Sequence, residues 1–185
     1  MIVHADIYDT FAARFTTAMQ AVTLGDPTDP ANVMGPLSSI EQRDTLMAQL
    51  AEAKASGATL VGGELVPGKG AYVTAGVITD LPRDSHLARQ ELFGPVAMLF
   101  RAADLDDAIA LANDIPFGLG SSVWTSDEAE QARFIADLEA GMIAINEVLA
   151  STPGAPFGGI KTSGHGRELG EWGLREFMNV QAVMG

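Results

Sequence analysis

The 185-residue sequence reads as an α/β protein whose sheet is mainly parallel and flanked by helices. Short apolar runs alternate with amphipathic helical stretches, the order that builds parallel strands with crossover helices. The run Pro95 to Phe100 is almost wholly apolar, as a strand covered on both faces must be. A chain of this length can bury roughly 70% of its unfolded surface, so a core without disulfides or metal is attainable.

Ile2 and Val3 form or end a first strand. Ile7, Phe11, Phe15, Ala18, Met19 and Val22 then recur at three- and four-residue steps and draw one apolar helical stripe. Gly25-Asp26-Pro27 and Asp29-Pro30 stop that helix. Ser38 and Glu41 are spaced as a capping box for a second helix through Leu46, Leu50 and Ala53, with Gly57 as its C′ residue. Thr59 to Val61 is a short strand, followed by a Gly/Pro loop to about Gly70 and a strand from Tyr72 to Ile78. After the apolar strand, Asp104 to Asn113 is helical with Leu105, Ala108, Ile109 and Ala112 inward. Ser121 to Thr125 is a strand, Asp127 to Leu138 a helix and Met142 to Asn146 a buried strand. A glycine-rich loop leads to a last helix near Glu171 to Met178 and a terminal strand at Val180 to Met184. With no repeat or linker, the reading is one domain over 1–178 and a strand at 179–185 for pairing with another subunit, since a terminal strand offers unpaired N–H and C=O groups.

The net charge of −13 with eleven scattered Lys and Arg makes nucleic acid and anionic membranes poor partners, because both need clustered cations. No apolar run approaches the roughly 20 residues that span a bilayer, and the first nine residues lack signal-peptide features. The absence of cysteine excludes disulfides and thiolate metal sites, and suits a reducing cytoplasm, the expected location. His4, His86 and His165 show no metal-ligand spacing, so no metal is expected.

Several motifs fail. Gly164, Gly166 and Gly170 miss the dinucleotide fingerprint by one residue and follow no strand directly. Lys161 lacks the upstream glycine of a phosphate loop, and no Gly-x-Ser-x-Gly elbow exists. Ser163 and His165, two residues apart in a loop, do not make a nucleophile and base. Two features remain. Glu91 stands beside Phe93-Gly94-Pro95 at the start of the apolar strand. There a carboxylate can accept bonds from sugar hydroxyls while the ring packs on a planar heterocycle; a surface glutamate and core phenylalanine fit the same residues. Asn146 through Phe157 follows a strand's C-terminal end, where open α/β sheets hold ligands, though an ordinary long loop reads the same way.

With these residues in view, the chain resembles the C-terminal, catalytic-domain part of an NAD(P)-dependent aldehyde dehydrogenase. The likeness runs in order through Ile2 to Tyr8, Gly25-Asp26-Pro27, Gly35-Pro36-Leu37, Gly62-Gly63, Glu91 to Val96, Ala108 to Asn113, Phe117 to Gly120, Gly141 to Asn146 and Pro156 to Leu169. The resemblance implies that Glu91 binds the nicotinamide ribose and Phe93 packs near the nicotinamide. It implies that the loop after Asn146 walls the aldehyde tunnel, that Phe157 borders it, and that the last strand joins a neighbouring subunit's sheet. Gln90 stands where many members carry an acid. The loop Asn146 to Ser151 resembles that of succinate-semialdehyde dehydrogenases, in which a serine matching Ser151 helps hold the distal carboxylate; Ser151 as a loop-conformation residue is the other reading.

The family's thiolate attacks the aldehyde, hydride passes to the nicotinamide, and activated water hydrolyses the thioester. The resemblance places the cysteine, base glutamate and oxyanion asparagine upstream of residue 1. The expectation is therefore an N-terminally incomplete catalytic domain, without catalytic residues of its own, inactive alone and not holding NAD or NADP stably. Its expected partners are copies of itself or a complementary N-terminal half, and a small aldehyde. A non-catalytic module that oligomerises with, or regulates, a full-length homologue is the alternative. A small hydrolase using Ser163 or Ser151 is disfavoured for want of a placed base.

Overall fold

A computed structural model describes residues 1–68 and 70–185. The chain divides into two compact units, Met1–Ala108 and Ile109–Gly185. The first holds β1 (Ile2–His4), α1 (Ala5–Gln20), α2 (Ile40–Ala55), β2 (Thr59–Gly62), β3 (Gly76–Thr79), a turn of 3-10 helix (His86–Arg89), β4 (Val96–Met98) and β5 (Phe100–Ala102). The boundary falls inside α3 (Leu105–Asn113). Beyond it come β6 (Phe117–Gly118), β7 (Gly120–Val123), α4 (Glu128–Asp137), β8 (Met142–Ile145), β9 (Ile160–Lys161) and α5 (Gly170–Arg175). β1 with β5, β3 with β4 and β7 with β8 run parallel; β2 with β3 and β6 with β9 run antiparallel. The expected α/β class holds.

The first unit is built around β3. Successive strand residues point to opposite faces, and both faces here are covered. Ile78 lies in a cluster with Leu46, Leu50 and Ala53 of α2, plus Val73, Leu81, Leu87 and Val96. Val77 belongs to a second cluster with Val3, Tyr8 and Leu99, against which Phe11, Ala12, Phe15 and Met19 of α1 pack. The rings of Phe11 and Phe15 stack with centroids 5.7 Å apart. The expected stripe on α1 is corrected at two places: Ile7 is 57% exposed and Ala18 is exposed, while Tyr8 takes the inward position. Tyr8 is seven residues before Phe15, two helical turns, and so shares its face.

The cap of α2 lies one residue later than expected. Ser39, not Ser38, is the N-cap, and its hydroxyl oxygen accepts from the Gln42 N–H at 3.1 Å. Ser39 and Gln42 still satisfy the Ser-x-x-Gln form of the motif. Gly57 follows the helix at φ +92, as a C′ glycine does.

β3 begins at Gly76 rather than Tyr72. Gly62 and Gly63 both sit at positive φ and break the regular ladder, so that upstream the segments meet through an isolated Leu65–Val73 bridge and single backbone bonds such as Thr74 N–H to the Glu64 carbonyl. The single apolar strand expected over Pro95 to Phe100 is two strands. β4 pairs with β3, β5 pairs with β1 (Ile2 opposite Phe100), and the ladder changes partner at Leu99. Leu99 N–H still donates to the Ile78 carbonyl at 2.9 Å.

Arg83 forks onto Asp107, Nη1 to Oδ1 at 2.7 Å and Nη2 to Oδ2 at 2.9 Å, while the Ala103 N–H donates to Oδ2 at 2.8 Å. The Arg83 guanidinium first, and that N–H second, lower the Asp107 carboxyl from its usual value to about 2. Tyr8, desolvated by burial and near the Asp80 carboxylate, has its hydroxyl pKa raised, and its O–H donates to the Leu99 carbonyl.

In the second unit β7 and β8 pair from Gly120 opposite Met142 to Val123 opposite Ile145, with α4 between them in sequence. Asp127 caps α4 by accepting from the N–H groups of Ala129 and Glu130. The expected full burial of β8 is corrected: Ala144 alone is buried, and its neighbours are half-buried. The β6–β9 pair was not expected. Two residues per strand carry no periodic signal, and long-range polar ties to Lys161 accompany the pair. Its ammonium donates to the carbonyls of Asn113 (2.8 Å) and Ile115 (3.2 Å) and pairs with Glu139 at 2.5 Å. α5 ends at Arg175, short of the expected Met178. Among the described residues, 180–184 join no ladder, with Val180 100%, Val183 87% and Met184 94% exposed. A strand exists only when paired, and this segment has no partner strand among the described residues.

Candidate functional site

Glu91 and Phe93 lie in the first unit; Asn146, Ser151 and Phe157 lie in the second. Each group is held by its own unit's elements.

The Glu91–Pro95 segment leads from the 3-10 turn into β4. Gln42 of α2 donates its side-chain N–H to the Phe93 carbonyl at 2.9 Å, and Gln49 of the same helix donates to the Gln90 side-chain oxygen at 3.1 Å. Gly94 N–H closes onto the Leu92 carbonyl at 2.9 Å. Leu92 turns inward against the α2 cluster, so its neighbours Glu91 and Phe93 turn outward. Phe93 is 62% exposed and Glu91 is exposed, which corrects the reading of Phe93 as a core residue. An open aromatic face and an acceptor-only carboxylate, carried on a backbone tied to α2, suit a ribose and a planar heterocycle.

Asn146 ends β8 at φ +56, a left-handed conformation that asparagine tolerates better than most residues. Its side-chain oxygen accepts the Thr125 N–H at 2.9 Å and its amide donates to the Thr125 carbonyl at 3.0 Å. Both polar groups of one peptide residue are thus clasped, so Asn146 orients the loop. Leu149 N–H donates to the Ser122 hydroxyl oxygen at 2.9 Å. Ser151 is exposed. Phe157 is half-buried and exchanges two backbone bonds with Glu168, at 2.7 and 2.8 Å, which closes the glycine loop into a ring. Inside the ring Arg167 donates to the carbonyls of Gly159 (2.8 Å) and Gly166 (2.7 Å). The Ser163 hydroxyl oxygen accepts the Gly118 N–H at 3.0 Å, an assignment that makes it a loop tie. At Gly141 a Cβ would lie 1.9 Å from the Gly158 carbonyl oxygen, so only glycine permits this approach of strand and ring.

The sequence placed Leu149 inside the candidate loop but did not single out Thr125, Ser122 or Gly120 as site residues. Their partners lie 21 to 29 residues away, beyond any local spacing rule. A cavity of about 380 Å³, lined by Tyr8, Asp80, Leu81, Pro82, Arg83, Leu99, Phe100 and Arg101, includes none of the five expected site residues. Among the described residues no group of three or more His, Asp or Glu is placed to hold a metal ion. Among them, too, no helix is long and apolar enough to cross a membrane.

Parallel strand pairs joined through helices define an α/β protein. Residues 1–183 match the model of the aldehyde dehydrogenase family, and the chain belongs to that family. It is 52% identical over 183 residues to succinate-semialdehyde dehydrogenase [NADP(+)] 1 of Mycobacterium ulcerans, covering 98% of this chain and 40% of that protein. Among solved structures it resembles Gox0499 at 41% identity and a TM-score of 0.94, covering 100% of this chain and 41% of that one. It also resembles succinic semialdehyde dehydrogenase from Streptococcus pyogenes in complex with NADP+, at 37% identity and a TM-score of 0.92, covering 96% and 39%. The chain thus spans about 40% of the length of the relatives it matches.

Proposed function

We propose that residues 1–178 are the C-terminal part of an aldehyde dehydrogenase catalytic domain. In this reading they supply contacts for oxidising a small aldehyde bearing a distal carboxylate, with succinate semialdehyde the best candidate, while residues 179–185 pair with a neighbouring subunit. The reading rests chiefly on the 52% identity, along nearly the whole chain, to a protein named for that substrate. The exposed Glu91 carboxylate would accept the ribose hydroxyls, and the open face of Phe93 would pack against the nicotinamide. When bound, NAD or NADP supplies the hydride acceptor. Ser151 would donate to the substrate's carboxylate, Phe157 would border the tunnel, and Asn146 would hold the loop. Thiol chemistry needs a cysteine, and these 185 residues contain none; alone they are expected to be inactive and to hold the dinucleotide weakly. The exposed Val180, Val183 and Met184 favour assembly with a second chain, which is also what a non-catalytic oligomerisation module would use.

The test uses a joined enzyme, this chain fused after the upstream portion of its 52% identical relative. Glu91→Gln should raise KM for the cofactor about tenfold, as loss of a charge-assisted hydrogen bond does, while leaving KM for the aldehyde near its starting value. An unchanged cofactor KM would remove Glu91 from the site. A joined enzyme that reduces neither NAD nor NADP would leave the oligomerisation module as the better reading.

A further inference from the structure

We propose that strand β7 is the positioning device of the substrate loop, and that Leu149, seated over Gly120, sets where Ser151 meets the distal carboxylate. This deepens, and rests on, the reading of residues 146–151 as a substrate wall.

The loop is pinned to β7 and the residue after its neighbour at two points. The first is the Asn146 clasp on both backbone groups of Thr125, at 2.9 and 3.0 Å. Thr125 is itself immobilised: its hydroxyl donates to Glu130 at 2.5 Å, and Gln131 donates to its carbonyl at 2.9 Å. The second pin comes three residues on, where Leu149 N–H meets the Ser122 hydroxyl oxygen at 2.9 Å. Here the side chain adds a contact that the backbone alone cannot supply. A Cβ built on Gly120 would lie 2.1 Å from Leu149 Cδ2, so the leucine methyl occupies the niche that glycine leaves open. Between the pins, Glu147 and Val148 arch outward, Val148 at 77% exposure.

Ser151 follows the second pin by two residues. At most about 3.6 Å per residue, its Cα stays within about 7 Å of that of Leu149, so a shift of the Leu149 backbone is passed on to the serine, whereas a rotation of the leucine side chain alone is not. Chemistry at residue 151 and position from residues 120 and 149 are therefore separable. A hydroxyl that must meet a carboxylate at hydrogen-bond distance is sensitive to shifts of about an ångström. Gly120 is not in the left-handed region, so its backbone accepts alanine; the added Cβ would collide with Leu149 and otherwise comes no closer than 3.4 Å, to Met142 Cε. Gly120→Ala thus perturbs the seat with little else.

Two measurements decide the matter. In the 185-residue chain, amide exchange at Leu149 should accelerate about tenfold or more in Gly120→Ala, read by hydrogen–deuterium exchange; an unchanged rate would overturn the seat. In the joined enzyme, Gly120→Ala should raise KM for succinate semialdehyde about tenfold while changing KM for uncharged butanal less than about twofold. Ser151→Ala should give the same loss of preference, and the double variant should lose no more than Ser151→Ala alone, because nothing remains to be positioned. Equal losses for both aldehydes, or full additivity, would overturn the positioning role. If Ser151→Ala leaves the preference intact while Leu149 exchange accelerates in Gly120→Ala, the seat stands but the carboxylate reading fails, and the specificity role falls with it.

Discussion

β3, the middle strand of the first unit's three-stranded sheet, and β8, one of a two-stranded pair in the second unit, are stabilised in different ways. Val77 and Ile78 of β3 are both buried, each in a different helix-backed cluster. β8 buries only Ala144, and its surroundings are tied by polar and backbone contacts: Lys161 on Asn113 and Ile115, Asn146 on Thr125, Gly141 against Gly158. Side-chain burial stabilises without direction; polar clasps add stability and also fix position, because they are directional. The unit proposed to wall the substrate is the one built from clasps, and the unit proposed to carry the ribose contact has the apolar core.

The largest effect should come from Leu46→Ala, which empties a fully buried position in the α2 cluster. A loss of about 2–5 kcal/mol is expected, seen as faster amide exchange in α2 and β3. A loss under about 1 kcal/mol would mean that the first unit does not rest on this core. Next is Lys161→Met, which keeps the aliphatic stem but removes the ammonium from two carbonyls and Glu139. About 1–3 kcal/mol is expected. Both tryptophans, Trp124 and Trp172, lie in the second unit, so their fluorescence reports its unfolding midpoint. A midpoint unmoved by Lys161→Met would remove the distinction between core and clasp.

The smallest effect should be that of Asp107→Asn, present near neutral pH and vanishing in acid. The folded carboxyl titrates near 2, below the ordinary aspartate value of about 3.9, so its stabilisation is complete above about pH 4 and is lost as pH falls through about 2. The native chain should therefore lose more stability than Asp107→Asn between pH 4 and 2. Parallel acid limbs in a pH series of denaturant melts would discount the Arg83 fork.

Much of the first unit was legible because its elements are long and periodic. The α2 face of Leu46, Leu50 and Ala53 followed from three- and four-residue steps, and the apolar run after Pro95 marked a doubly covered strand. The sequence misplaced features set by single hydrogen bonds or by partner choice: Ser38 for Ser39 as the cap, and one strand where β4 and β5 serve different ladders. Tyr8 replaced Ile7 because helix phase, not hydrophobicity alone, decides which side chain points inward. In the second unit the loop after Asn146 was visible as a candidate site, but its supports were not. Ser122, inside β7, and Thr125, two residues beyond it, look unremarkable until β7 and β8 are brought into register. The 179–185 segment shows the same limit from the other side: its apolar run reads as a strand, yet the structure leaves it exposed and assigns no strand there.

The most direct measurement is reduced-nicotinamide formation from succinate semialdehyde with NADP, taken in parallel on the 185-residue chain and on the joined enzyme. Turnover by the joined enzyme and none by the lone, cysteine-free chain is the expected result. Stoichiometric NADPH from the lone chain, purified free of any full-length homologue, would contradict it.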